Sequence, residues 1–235
     1  MSNRLTPNTG NQRGFTIVEL MIATAVFSIV LLILTTGVLS FTRQYYKGII
    51  NNRTQNIARN TVREITQSIQ FSTGEVTTLY NNAGQVGGYC INGRPYYFAL
   101  GRQLNGGDAA TTAKHVLITG SANCVSPAPN ITNADLNSSP YIGFRELLGD
   151  KMRLAYFNVT PISGGSTEVV MRIAYGDKDL LCSGSVANSC QPTGSLTDTQ
   201  ILNPLGDNAL QCRGSSGNQF CSVIGFTTQV VKRVQ

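Results

Sequence analysis

The sequence predicts an α+β fold: one long N-terminal helix packed on an antiparallel β-sheet, with long disulfide-stapled loops. Three observations predict it. Leu20 to Thr42 is an unbroken run of 23 uncharged residues. The segment after it repeats apolar side chains at helical spacing. Beyond Gly74 the pattern changes to short apolar runs separated by Gly, Asn, Ser and Pro, which reads as strands and turns.

The uncharged run is the first element. As a helix its 23 residues span about 34 Å, enough for the roughly 30 Å hydrocarbon core of a bilayer. It contains no proline, and Gly37 after Thr35-Thr36 is its weakest point for helix continuity. A signal anchor or a cleavable secretory signal is the plain alternative. The run is longer than the apolar region of a secretory signal, and no small-residue cleavage site follows clearly.

The second element continues the helix. Ile50, Ile57, Ala58, Thr61, Ile65, Ser68 and Ile69 recur three, four or seven apart, while Asn52, Asn56, Arg59, Arg63, Thr66 and Gln70 fall on the other side. This amphipathic stem is expected to end near Ser72-Thr73-Gly74, with the glycine as the stop. Its apolar face is expected to cover a sheet.

The remaining elements are strands. GYCINGRPYYFAL has apolar runs on each side of Asn92-Gly93, a strong hairpin signal. HVLITG reads as a short strand. KMRLAYFNV and TEVVMRIAY read as strands joined by the turn-rich TPISGGS, and FCSVIGFTTQVVKRV reads as one or two more. Residues 101–114, 120–140 and 182–219 read as long polar loops.

The formal charge of +6 is unevenly placed. Between residues 43 and 64, Arg43, Lys47, Arg53, Arg59 and Arg63 stand against Glu64, whereas residues 73–235 are nearly neutral. The basic footprint of a nucleic-acid-binding domain is not visible there. The six cysteines, Cys90, Cys124, Cys182, Cys190, Cys212 and Cys221, all follow the apolar run. With no C-x-x-C pair and a single histidine, His115, the spacings do not match a zinc site, and no metal or other cofactor is expected. An even count suggests disulfides and an oxidising compartment, with reduced structural thiols as the alternative. Six cysteines permit fifteen pairings. Pairing each with its nearest neighbour is one choice among them. The basic residues after the apolar run argue the other way, for a cytoplasmic C-terminal part.

The stretch Arg13-Gly14-Phe15-Thr16-Ile17-Val18-Glu19-Leu20 bears on that conflict. It resembles the processing site of type IV pilins and of the pseudopilins of type II secretion: a short basic leader ending in glycine, a hydrophobic first mature residue, and glutamate at the fifth mature position. The resemblance covers residues 13–41 closely and implies four segments: a leader over 1–14, a transmembrane and filament-core helix over 15–42, an amphipathic stem over 43–73, and a β-rich head over 74–235. It implies cleavage between Gly14 and Phe15 by a prepilin peptidase that also N-methylates Phe15, and a role for Glu19 in subunit assembly, its carboxylate pairing with an N-terminal amine. It places the head outside the bacterial inner membrane, which sides with the cysteines, and then in an extracellular filament. Partners would be other pilins or pseudopilins and the inner-membrane assembly platform.

Glu19 makes physical sense in that role. It falls in the first helical turn, where the helix dipole favours an anion, and Phe15, four residues earlier, would share its helix face. A carboxylate in hydrocarbon is costly alone and far less so when paired. No nucleophile and base come together elsewhere, so an enzyme is not expected. Asp177, Asp179, Asp207 and Asn208 lie in turn-like stretches without calcium-loop spacing and read as solvated. The expected function is a minor subunit of a type IV pilus that helps start or cap the filament. A minor pseudopilin of type II secretion is the alternative. So is an adhesin or DNA-binding pilin at a tip, for which Tyr45-Tyr46 and Tyr96-Tyr97 are the only hints.

Overall fold

The computed structural model describes residues 14–82, 86–104, 115–121, 123–125, 136, 138–139, 141–183, 191–192, 210–214 and 217–233. One helix, α1 (Ile17–Gln70), precedes all the strands. The chain divides into two compact units after Gln44.

In the first unit, α1 carries no buried residue. Its most apolar 18-residue window has a mean hydropathy of 2.7, so the helix is long and apolar enough to cross a membrane. Its hydroxyls are consistent with that solvent. Those of Thr24, Ser28, Thr35, Thr36 and Thr42 each donate to a backbone carbonyl three or four residues back. A polar group bonded inside its own helix removes most of the penalty of lipid exposure.

Among the described residues, the second unit holds the rest of α1 and three antiparallel sheets. β1 (Thr77–Asn82), β2 (Val86–Ile91), β3 (Arg94–Ala99), β4 (Leu117–Thr119) and β5 (Arg145–Glu146) form one sheet in sequence order. β6 (Met152–Ile162), β7 (Ser166–Tyr175) and β11 (Ser222–Val231) form the second, with β7 in the middle. β8 (Leu181–Ser183), β9 (Gln191–Pro192) and β10 (Leu210–Cys212) form a small third sheet, with β8 in the middle.

The core follows from helical and strand periodicity. Ala58, Ile65 and Ile69 of α1 meet Tyr96 and Phe98 of β3, Leu154 and Phe157 of β6, Met171 and Ile173 of β7 and Val230 of β11 in one cluster. The stem therefore covers both larger sheets. Strand alternation sends intervening residues the other way. Tyr97 joins Ile118, Tyr141 and Phe144 in a second cluster. Ala155, Ala174, Leu181, Leu210 and Cys221 form a third. Tyr96 and Tyr97 are both buried, so they are core on opposite faces rather than a surface patch.

Asn92 (φ 53) and Gly93 (φ 72) take the two left-handed positions of the β2–β3 turn, the geometry that makes Asn-Gly a hairpin signal. Two expectations differ. Gly74 is not among the left-handed glycines. The helix stops at Gln70, where the Ser72 N–H and hydroxyl both bond the Ile69 carbonyl and the Arg233 N–H bonds that of Gln70. The stretch 182–219, read as a loop, contains β9 and β10. Buried Leu181 and Leu210 hold that sheet, and such short strands show no alternation to read. The ring of His115, the single histidine, lies 3.2 Å from the Glu146 carboxylate.

Candidate functional site

The processing junction and the first turn of α1 are the candidate site. Gly14 and Phe15 precede the helix and are exposed. A Cβ on Gly14 would meet nothing within 4 Å, and its φ is not left-handed. The fold therefore makes no demand for glycine at position 14. Phe15 was expected to share a helix face with Glu19, but the helix begins only at Ile17.

Thr16 is the residue that meets the carboxylate. Its carbonyl accepts the N–H of Leu20 (3.2 Å), the first bond of the helix. Its hydroxyl accepts the Glu19 N–H (3.2 Å). In return its own N–H (2.9 Å) and hydroxyl (2.8 Å) both donate to Glu19 Oε2. This is a capping box, in which residues three apart satisfy each other's orphan groups at a helix start. Both donors fall on Oε2, so Oε1 takes no hydrogen bond among the described residues. The arrangement holds an anion at the positive end of the helix dipole with one oxygen open to a partner. The sequence signal was the T-x-x-E spacing of Thr16 and Glu19, which reasoning from the charge alone missed.

The cysteines are elsewhere. Cys90 is joined to Cys124 and Cys212 to Cys221, each with Cα atoms 5.8 Å apart. The first links β2 to the segment after β4. The second closes the loop between β10 and β11. A pairing of Cys182 with Cys190 falls outside the described residues. Asp207 and Asn208 fall outside them too, and the fold places Asp177 within 3.1 Å of the Gln103 amide and 3.6 Å of Lys151.

The polar clusters of the second unit are structural. Glu146 accepts the N–H groups of Val116, Leu117 and Leu148 at 2.8–3.1 Å and faces His115, so it ties the start of β4 to the turn after β5. Glu64 of the stem bridges Arg94 of β3 (3.2 Å) and Arg145 of β5 (2.6 Å). Burial raises the pKa of Tyr89, Tyr96 and Tyr97 above the ordinary phenol value, partly offset by hydrogen bonds to their hydroxyls. An open cleft of about 480 Å³ lies between the stem and the Cys212–Cys221 loop, lined by Lys47, Asn51, Gln55, Gln211 and Ser222. Among the described residues no cluster of metal-ligating side chains forms.

The family model of the prokaryotic N-terminal methylation motif matches residues 9–35. The chain thus carries a type IV prepilin-like N-terminus, and the matched stretch includes Gly14, Phe15, Thr16 and Glu19. No curated protein and no solved structure is significantly similar to the chain. The motif supports a member of the type IV pilins or pseudopilins, a structural rather than enzymatic group. It implies processing by a prepilin peptidase and assembly with other pilins at a membrane machinery.

Proposed function

We propose, with the prepilin-type N-terminus as premise, that the chain is a minor subunit of a type IV pilus that helps start or cap the filament. The observation that carries the reading is the junction itself. Gly14 answers no need of the fold. Two residues on, a capping box presents the Glu19 carboxylate, with Oε1 unbonded among the described residues. Cleavage after Gly14 gives Phe15 a free α-amine, kept positive by N-methylation. The Glu19 of one subunit then pairs with the amine of its neighbour and sets the axial register. Each charge is costly in hydrocarbon alone, so pairing drives a subunit to its place.

The disulfides support a head outside the cytoplasm. The minor role rests on the size and loops of the head. Removing residues 1–14 leaves 221 of 235, large for a subunit repeated along a shaft. Three long polar stretches in the sequence would crowd a lattice in which one contact recurs many times. They suit a position with a free face, where loops are placed to bind.

Mass spectrometry of purified filaments tests both parts. The expected result is a mature, methylated N-terminus at Phe15, in a chain far less abundant than the main pilin. A start elsewhere removes the processing reading, and a chain that is the most abundant pilin removes the minor-subunit reading. Presence only in a secretion pseudopilus makes it a pseudopilin.

A further inference from the structure

The turn Gly217–Cys221 is anchored on several sides, yet it holds an aromatic ring in solvent. Gly217 (φ 104) starts it in the left-handed region. Cys221 is bonded to Cys212. Lys47 Nζ of the stem donates to Asn218 Oδ1 at 2.8 Å. Gly176 lies so close that a Cβ there would meet the Phe220 carbonyl at 2.9 Å. Phe220 nevertheless remains 44% exposed, with its ring 6.0 Å from that of Tyr46, which in turn packs edge-on against Tyr45 at 6.3 Å. Both tyrosines are exposed as well.

We infer that Tyr45, Tyr46 and Phe220 form a contact with the headgroup layer of an anionic bilayer while the subunit is still anchored. This rests on the reading of residues 15–42 as membrane-spanning. Two arguments favour lipid as the occupant. The first is reach. Tyr45 is three residues past Thr42, where the uncharged run ends, and three residues extend at most about 11 Å. The headgroup layer on one side of a bilayer is roughly 5–8 Å deep. Even fully extended, Tyr45 ends no more than about 3–6 Å beyond that layer and Tyr46 one residue farther, and the Phe220 ring packs near that of Tyr46. Aromatic rings with one wet edge favour this depth.

The second argument is charge. Arg43 and Lys47 flank the two tyrosines, and Arg213 follows Cys212, the disulfide partner of Cys221. These charges nearest the rings in the chain are basic, which complements anionic lipid; of the acids on the neighbouring segment, Asp177 lies 3.6 Å from Lys151, and Asp179 is the other. The contact also gives the basic residues after the span a use on the far side of the membrane from where their number alone would put them.

The chain contains no tryptophan, so Phe220→Trp is a clean single reporter. The full chain is reconstituted in phosphatidylcholine–phosphatidylglycerol vesicles at low protein density. Fluorescence quenching by headgroup-labelled lipid is compared with that by lipid brominated deep in the acyl chain. Ile142→Trp, at an exposed position in another loop, is the aqueous control, and Phe27→Trp reports the span itself. The expected result is a blue-shifted Phe220→Trp, quenched by headgroup label at least about twofold more than Ile142→Trp, and less so in vesicles of phosphatidylcholine alone. Quenching no greater than that of Ile142→Trp overturns the contact, including the case in which a second copy of the chain covers the patch. Equal quenching without anionic lipid overturns the charge complementarity. If Phe27→Trp also escapes the deep quencher, the spanning reading has failed and the contact with it; if Phe27→Trp is quenched, the contact alone has failed.

Discussion

Thr16 shows how much one hydroxyl decides. With it, Glu19 is fixed at the helix start by two donors on a single oxygen; without it, the carboxylate would have no fixed direction. Glu19→Leu removes the charge and should leave membrane insertion intact, since an apolar residue enters a bilayer more readily. Incorporation into filaments should fall at least about tenfold, the scale of one charge-assisted pair. Blotting sheared filaments against membranes measures it, and equal incorporation would end the pairing role. The tyrosines give a second residue-scale outcome. Burial raises the pKa of Tyr89, Tyr96 and Tyr97 in the folded state above the ordinary value of 10.0. Below that value both states hold their protons and the stabilisation is complete. As pH rises from there towards the folded-state values, the unfolded chain ionises first, binds fewer protons and gains on the folded one. The thermal midpoint should stay level up to about pH 9 and fall above about pH 10; a midpoint unchanged at pH 11 would contradict this. At this scale the sequence exposed Gly14 and Glu19 plainly, because a charge beside an apolar run is conspicuous. The capping partner was harder to see, because a threonine at the edge of such a run carries no contrast.

At the scale of elements, legibility follows local chemistry. The β2–β3 hairpin was readable because Asn92 and Gly93 supply positive φ themselves. The β6–β7 hairpin was readable from long apolar runs around the turn that holds Gly164 and Gly165. β8, β9 and β10 were not, because two or three residues cannot show a period and β8 pairs with β10 across the long stretch between Ser183 and Leu210. The end of α1 was expected near Ser72-Thr73-Gly74 with the glycine as the stop; Ser72 supplies it instead, because a serine can close a helix through its hydroxyl as well as a glycine can through its backbone. Another glycine does have a steric reason. A Cβ on Gly120 would stand 2.7 Å from Phe144 Cγ, in the cluster where the Phe144 and Tyr97 rings stack with centroids 5.6 Å apart. Gly120→Ala should therefore destabilise the head by about 1–3 kcal/mol, the usual cost of overpacking. Urea denaturation of the detergent-solubilised chain reads this directly, and an unchanged midpoint would mean that the ring shifts freely.

Across the whole molecule the helix and the strands depend on one another over long sequence distances. Val230 of β11 belongs to the same cluster as Ile65 and Ile69 of the stem, and the Arg233 N–H satisfies the carbonyl of Gln70. Lys232 reaches back to the Gly74 carbonyl, 158 residues away. A fold with so many distant pairings forms slowly, because each must first close a large loop. The sequence showed an amphipathic stem and a sheet for it to cover. Which strand completed the cover lay in pairings that no local pattern records. Deleting residues 222–235 removes β11, the strand paired along all of β7. The expected product is a membrane-bound chain whose head is cut by protease in spheroplasts at concentrations that spare the parent; equal resistance would show that the rest of the head closes without it. The consequence reaches back to synthesis. Until β11 is delivered, the apolar face of the stem lacks one of the strands that cover it, the one that brings Val230 to Ile65 and Ile69. The arrival of β11 is thus the closing event of the head: a chain broken before residue 222 leaves the whole free edge of β7 unpaired.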